Sequence, residues 1–270
     1  MSTSSAPVEI GRVALTVNDL GRVADFYRAL LGFETLSADG EVVVLGAGGK
    51  PLLELRGDRA ARVRSRREAG LFHTAFLLPS REDLGAWLRH MADKRLPVSG
   101  ASDHLVSEAI YLDDPEGNGI EVYSDRPRES WTTENGQIKM ATEHLDIDSL
   151  FAAARAPWTG APDGTVVGHV HLQVGNVPEA EAFYHDTLGF DIKAHYPGAS
   201  FMSSGGYHHH LGANVWQSRG AGQRSYPSTG LADLELLADA PSYDALVGQT
   251  GTPTPTDPWG TQLTITRKAA

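Results

Sequence analysis

VALTVNDLGRVADFYRALLGF, from Val13 to Phe33, returns as VHLQVGNVPEAEAFYHDTLGF from Val170 to Phe190. Each copy opens as an alternating strand, passes an asparagine placed to cap a helix (Asn18, Asn176) and closes on Leu-Gly-Phe. Alternation of period two gives a strand with one buried face. The apolar positions Leu20, Val23, Tyr27, Leu30 and Leu31 then recur at helical spacing, so one helix face turns onto a sheet. Gly32 and Gly189 stand where a helix end calls for positive φ.

Two further units keep the same order of parts. FHTAFLLP begins one at Phe72. Ser80 and Asp83 form a capping pair ahead of a helix with Leu84, Trp87, Leu88 and Met91 inside, and the strand GIEVY closes the unit. The other begins with GLADLEL at Gly230, has a short helix after Pro241 and ends in DPWGTQLTITR. Residues 8–125 therefore hold the first two modules and residues 166–268 the last two. Residues 126–165, rich in Pro, Thr, Asp and Ala, form a connector with one short helix near Ile147–Ala154.

Composition narrows the chemistry. The chain has no cysteine, so disulfides, iron–sulfur clusters and thiolate zinc sites are excluded, and imidazole and carboxylate are left as strong metal ligands. A formal charge of −11 without a lysine-rich stripe excludes a nucleic-acid surface and points to a small-molecule partner. The basic run from Arg59 to Arg67 reads as a solvated connector. No apolar stretch approaches the roughly 18–20 residues of a membrane helix, and the opening MSTSSAPVEI has no secretory pattern, which places the chain in the cytoplasm.

With its FYxxxLGF helix ends and the DPEGN turn at Asp114–Asn118, nearly the whole chain resembles the vicinal oxygen chelate superfamily. This group includes glyoxalases, bleomycin-resistance proteins and extradiol dioxygenases. The resemblance implies an α+β fold of four βαβββ modules, paired into two cupped mixed sheets around a metal site. Family ligands arise from a fixed place on the first and last strands of a module. The first-strand place holds Arg12, His73, His169 and Leu231, and on the last strand Glu121 stands opposite Thr264.

If modules two and three pair, His73, His169 and Glu121 converge as two imidazoles and a carboxylate, the ligand set of O2-using Fe(II) enzymes. His171, two residues on and on the same face, is the local rival of His169. Modules one and four would then be a metal-free half. The resemblance is greatest to the catechol 2,3-dioxygenases, through the stretch DHLVSEAIYLDDPEGNGIEVY from Asp103 to Tyr123. Tyr111 stands ten residues before Glu121, as in that signature, while His104 stands two residues nearer to the tyrosine than in the long-chain enzymes.

In YHHHLGANVW, from Tyr207, His209 precedes Leu211 and Gly212 and is the expected acid–base residue, with His208 and His210 turned to the opposite face by strand alternation. Tyr111 is expected to donate a hydrogen bond to substrate, with His104 in support. The implied reaction is extradiol cleavage of a small aromatic diol by O2 at Fe(II), with Mn(II) as the other metal such a set accepts. Free sheet edges give copies of the chain a way to associate. The rival readings are a glyoxalase-like isomerase, which calls for two histidines and two glutamates (Glu54 and Asn214 being the other positions considered), and a sequestering protein without catalysis.

Overall fold

The computed structural model describes residues 6–269. Module one comprises β1 (Val8–Val17), α1 (Leu20–Leu31), β2 (Glu34–Asp39), β3 (Val42–Ala47) and β4 (Lys50–Gly57). Module two repeats the order with β5 (Gly70–Leu77), α2 (Arg81–Asp93), β6 (Gly100–Asp103), β7 (Ser107–Asp113) and β8 (Gly119–Asp125). The connector carries a small hairpin, β9 (Thr133–Glu134) and β10 (Gln137–Ile138), and then α3 (Ile147–Ala153). Module three has β11 (Val166–Gln173), α4 (Val177–Glu181) continuing as a π-helical turn (Ala182–Thr187), β12 (Asp191–Tyr196), β13 (Ala199–Ser203) and β14 (Leu211–Asn214). Module four has β15 (Gly230–Ala238), α5 (Ala240–Thr250) and β16 (Gln262–Arg267). It thus lacks the middle hairpin of the other three.

Modules two and three form one eight-stranded sheet in the order β12-β13-β14-β11-β5-β8-β7-β6, and modules one and four a six-stranded sheet, β16-β15-β1-β4-β3-β2. Within each sheet the two first strands run antiparallel to one another, β5 with β11 and β1 with β15, while each first strand pairs in parallel with the last strand of its own module. One continuous core joins the sheets and helices, with Leu15, Phe76, Val122, Val170 and Leu234 all at 1% exposure or less. Each such side chain contributes about 1.5–3 kcal/mol by burial. Strand alternation turns the other residues of β5, β8 and β11 to the concave face, and there the chemistry sits.

The helix motifs act as ties between the sheets. Tyr27 of α1 donates to Asp114 in the turn before β8 at 3.5 Å, and Tyr184 donates to Asp257 in the turn before β16 at 2.9 Å. Each tie joins a six-stranded-sheet module to its chain neighbour in the eight-stranded sheet. Gly32 takes φ 68°, and a Cβ there would meet Gly160 Cα at 2.4 Å, so the helix end needs glycine for both conformation and space. One cap differs from the sequence expectation: Asp19, not Asn18, caps α1 through Arg22 N–H. The Asn18 amide donates instead to the Asp58 and Ala61 carbonyls, pinning the chain after β4.

Register also revises one equivalence. Ala75 faces His169 in the eight-stranded sheet, and Ala14 faces Asp233 in the six-stranded one. Asp233 rather than Leu231 therefore occupies the place of His169; a two-residue slip keeps the same strand face, so alternation could not reveal it. By the same register Arg12 stands for His73 and Glu54 for Glu121. Arg12 Nε lies 2.8 Å from Glu54 and Nη1 lies 3.0 Å from Asp233. A guanidinium thus joins the two carboxylates where the other sheet gathers its triad.

Candidate metal centre

On the concave face of the eight-stranded sheet, β5, β8 and β11 bring His73, Glu121 and His169 together. His73 Nε2 is 3.0 Å and His169 Nε2 is 3.2 Å from the same oxygen, Glu121 Oε2. The three ligand atoms lie within 4.8 Å of one another, at residue exposures of 6%, 2% and 1%. His169 Nδ1 has no hydrogen-bond partner. Two imidazole nitrogens converging on one carboxylate oxygen in a buried spot suit a cation.

Burial alone would raise the Glu121 carboxyl, yet the charge and hydrogen bond of His169, with those of His73, hold it well below the usual carboxylate range. Burial lowers His169 to about 4. At neutral pH Glu121 is a carboxylate beside the neutral imidazole of His169, the protonation state that ligation of a divalent ion requires of both. The structure therefore holds a buried His-Glu-His group able to bind a metal.

His209 packs on His169 with ring centroids 4.1 Å apart. Residues 207–210 form a loop ahead of β14, not a strand, and the expected alternation of the three histidines fails for that reason. His208 Nδ1 lies 2.7 Å from His209 Nδ1, and its Nε2 lies 3.0 Å from Asp125 Oδ1. The carboxylate accepts the His208 Nε2 proton, so His208 Nδ1 accepts from His209 Nδ1–H. This leaves Nε2 as the free acceptor of His209. His210 turns away and its Nδ1 accepts from Ser204 N–H, with Ser203 Oγ also within 2.9 Å.

Tyr111, opposite Glu121 on β7, lies 2.6 Å from His104 Nε2, and His104 Nδ1 donates to the Ala141 carbonyl at 2.6 Å. His73, Glu121, His169, His209, Tyr111 and His104 line one cavity of about 440 Å³, a size for one small ligand. His171 lines it too, 4% exposed, its ring 5.0 Å from that of His73 and its Nε2 unpartnered. A Cβ on Gly212 would meet His171 Cδ2 at 2.4 Å, so this glycine makes room for the ring.

The sequence matches the family model of the Glyoxalase/Bleomycin resistance protein/Dioxygenase superfamily over residues 9–122 and 166–263. The chain belongs to that superfamily. It is 40% identical over 237 residues to the catechol-2,3-dioxygenase of Bacillus subtilis (strain 168), covering 86% of this chain and 83% of that protein. Maize glyoxalase I shares the fold at TM-score 0.57 and 15% identity, over 97% of this chain and 93% of that one. A crystal structure from Bacillus subtilis does so at TM-score 0.63 and 12% identity, over 97% and 86%. No helix among the described residues is long and apolar enough to cross a membrane.

Other groups of this superfamily member's site were not singled out as functional by sequence. His208 and Asp125, which orient His209, come from a loop and a strand end far apart in the chain. Phe72 and Trp216 wall the cavity, brought there by the fold and marked by no local motif. Arg64 and Arg66, inside the basic run that reads as solvated, both line the cavity, Arg66 at its exposed rim and paired with Asp113 at 2.8 Å.

Neutral buried imidazoles make the fold acid-sensitive. Burial is the main cause that lowers His169 to about 4 and His210 to about 3, and it holds His171 and His209 well below 6.5. Between pH 6.5 and about 4 the unfolded chain binds protons that the native chain refuses, so stability falls as pH falls through that window. Each such proton costs about 1.4 kcal/mol per pH unit. For a chain of this size that is about 2–4 °C of melting midpoint per pH unit. Calorimetric melts of metal-free protein from pH 7 to 4.5 check it, and a flat midpoint would contradict neutral burial of these rings.

Proposed function

We propose that the chain is an extradiol ring-cleaving dioxygenase that opens a small aromatic diol with O2 at Fe(II) held by His73, His169 and Glu121. The observation that carries the reading is the buried triad on the cavity wall, with His209 stacked on one ligand and its Nε2 available. The 40% identical catechol-2,3-dioxygenase supports it. His73, His169 and Glu121 would hold the ion, which would supply redox coupling between the diol and O2; Mn(II) fits the same donors.

The chain's own side chains bind the diol, exclude water and move protons. His209 Nε2 takes the proton of one diol hydroxyl; Asp125 and His208 hold the ring in the tautomer that can do so. Tyr111, whose proton lies toward His104 in the resting arrangement, offers an oxygen lone pair to the second hydroxyl. The donor role expected from sequence needs the Tyr111 O–H to turn from His104 toward the substrate. Burial keeps the Tyr111 phenol protonated, well above its ordinary value.

An isomerase with two histidines and two glutamates fits less well. The place equivalent to Glu121 in module three is Gly212, by its register with His171, and not Asn214. That corner therefore offers no glutamate, and the His171 ring fills the space a side chain there would take.

The test is anaerobic loading with Fe(II), then mixing with catechols and air while recording O2 uptake and the yellow absorbance of a ring-opened product. One O2 consumed per product formed supports the reading. One metal bound per chain with no uptake on any catechol rejects it in favour of isomerisation or sequestration.

A further inference from the structure

The sequence places Arg64 among exposed arginines, but the chain folds its guanidinium into the cavity wall. Nη1 donates to Gln173 Oε1 at 3.3 Å and Nη2 to the Gly117 carbonyl at 3.0 Å. Among the described residues no carboxylate forms an ion pair with it, whereas the Arg66 charge is met by Asp113. Arg224 stands beside it, 5% exposed, with Nη1 lacking any partner; the space beside Gly230 is bounded by both side chains. Burial, then the like charges of Arg224 and Arg66, push the Arg64 guanidinium below its ordinary value. Two neighbouring cations served by neutral oxygens form an anion site without its anion. In a chain of net charge −11, Arg64 brings positive charge to the cavity wall, with Arg224 behind it and outside the lining.

Its position gives the ligand a shape. His169, His171 and Gln173 succeed one another on one face of β11, so the residue holding Arg64 is about 13 Å along the strand from the ligand histidine. Between them the wall is aromatic, with His171 5.4 Å from Phe72 and 5.3 Å from Trp216 between ring centroids. A ligand spanning this sleeve has a polar end at the triad, an apolar middle and an anionic end at Arg64.

Resting on the ring-cleavage reading for the diol end, we infer that the substrate is a catechol bearing a short carboxylated side chain, of acetate or propionate length. Arg64 is the residue that selects it.

The test separates the anion site from the chemistry. Binding of 3-phenylpropionate and of its uncharged amide to metal-free protein is measured by calorimetry, in wild type, Arg64→Gln and Arg66→Gln. A charge-assisted pair in a half-buried site predicts about 10- to 100-fold tighter binding of the acid. That preference should fall below about 3-fold in Arg64→Gln and persist in Arg66→Gln. Equal affinities in wild type, or a preference that survives Arg64→Gln, overturn the inference, and the wild-type comparison stands even if the variant fails to fold. On Fe(II)-loaded protein, 3,4-dihydroxyphenylpropionate should exceed its amide in kcat/KM by a similar factor. An acid preference in binding with no O2 uptake on any catechol keeps the anion site and sinks ring cleavage instead; ring cleavage with no preference sinks the anion site alone.

Discussion

His169→Ala protein, loaded anaerobically with Fe(II) and desalted, is expected to retain less than about a tenth of the metal held by wild type. His169 supplies one of three protein donors, and its ring is also the surface on which His209 rests. Loss of a mere outer-shell partner of a metal site typically costs about 10- to 100-fold in affinity, so removing a direct ligand should cost more. Glu121→Gln should behave alike, since it removes the anionic charge to which both imidazoles converge. Arg12→Ala provides the contrast. It leaves Asp233 and Glu54 without their shared cation and lowers the melting midpoint, but the metal content stays at one per chain. Metal analysis by mass spectrometry decides. Loss of metal from Arg12→Ala, or retention in His169→Ala, would place the ion elsewhere.

His209→Ala should give the opposite pattern: full metal content with turnover reduced by about 10²- to 10⁴-fold, the range for a removed general acid–base group. The reason is geometric. His209 touches His169 by ring packing and is not one of the converging atoms, while the Asp125–His208 pair fixes which of its nitrogens is open. His208→Gln should lower turnover less and shift its acidic pH limb, because a glutamine cannot accept from His209 and donate to Asp125 in the same way. Undiminished turnover in His209→Ala at saturating substrate would move proton transfer to the Tyr111–His104 pair.

The sequence was most informative where a side chain is tied to a periodic element. The strand–helix–glycine repeat, the capping residue Ser80 and the place of Glu121 on a closing strand all follow from local spacing. The chemistry of His73, Glu121 and His169 is legible because strand period and module repeat together fix which face each occupies. Other features depend on distances that spacing does not encode. Sequence alignment puts Leu231 where Asp233 belongs because a two-residue slip preserves the face. The histidine run reads locally as strand, although two turn glycines, Gly205 and Gly206, precede it and release it from alternation. Arg64 resembles its exposed neighbours in every local respect, and only the fold turns it inward.

The tyrosine ties and the sheet pairing follow different partners along the chain, and this has a consequence for ancestry. Tyr27 and Tyr184 bind modules in chain order, one to two and three to four, while the triad takes His73 and Glu121 from the first half and His169 from the second. Neither half contains a centre. A forebear made of one half could have built this arrangement only by meeting a second copy of itself, with two centres related by symmetry. In the present chain the second of those places holds Arg12 between Asp233 and Glu54, in the sheet whose module four has no middle hairpin.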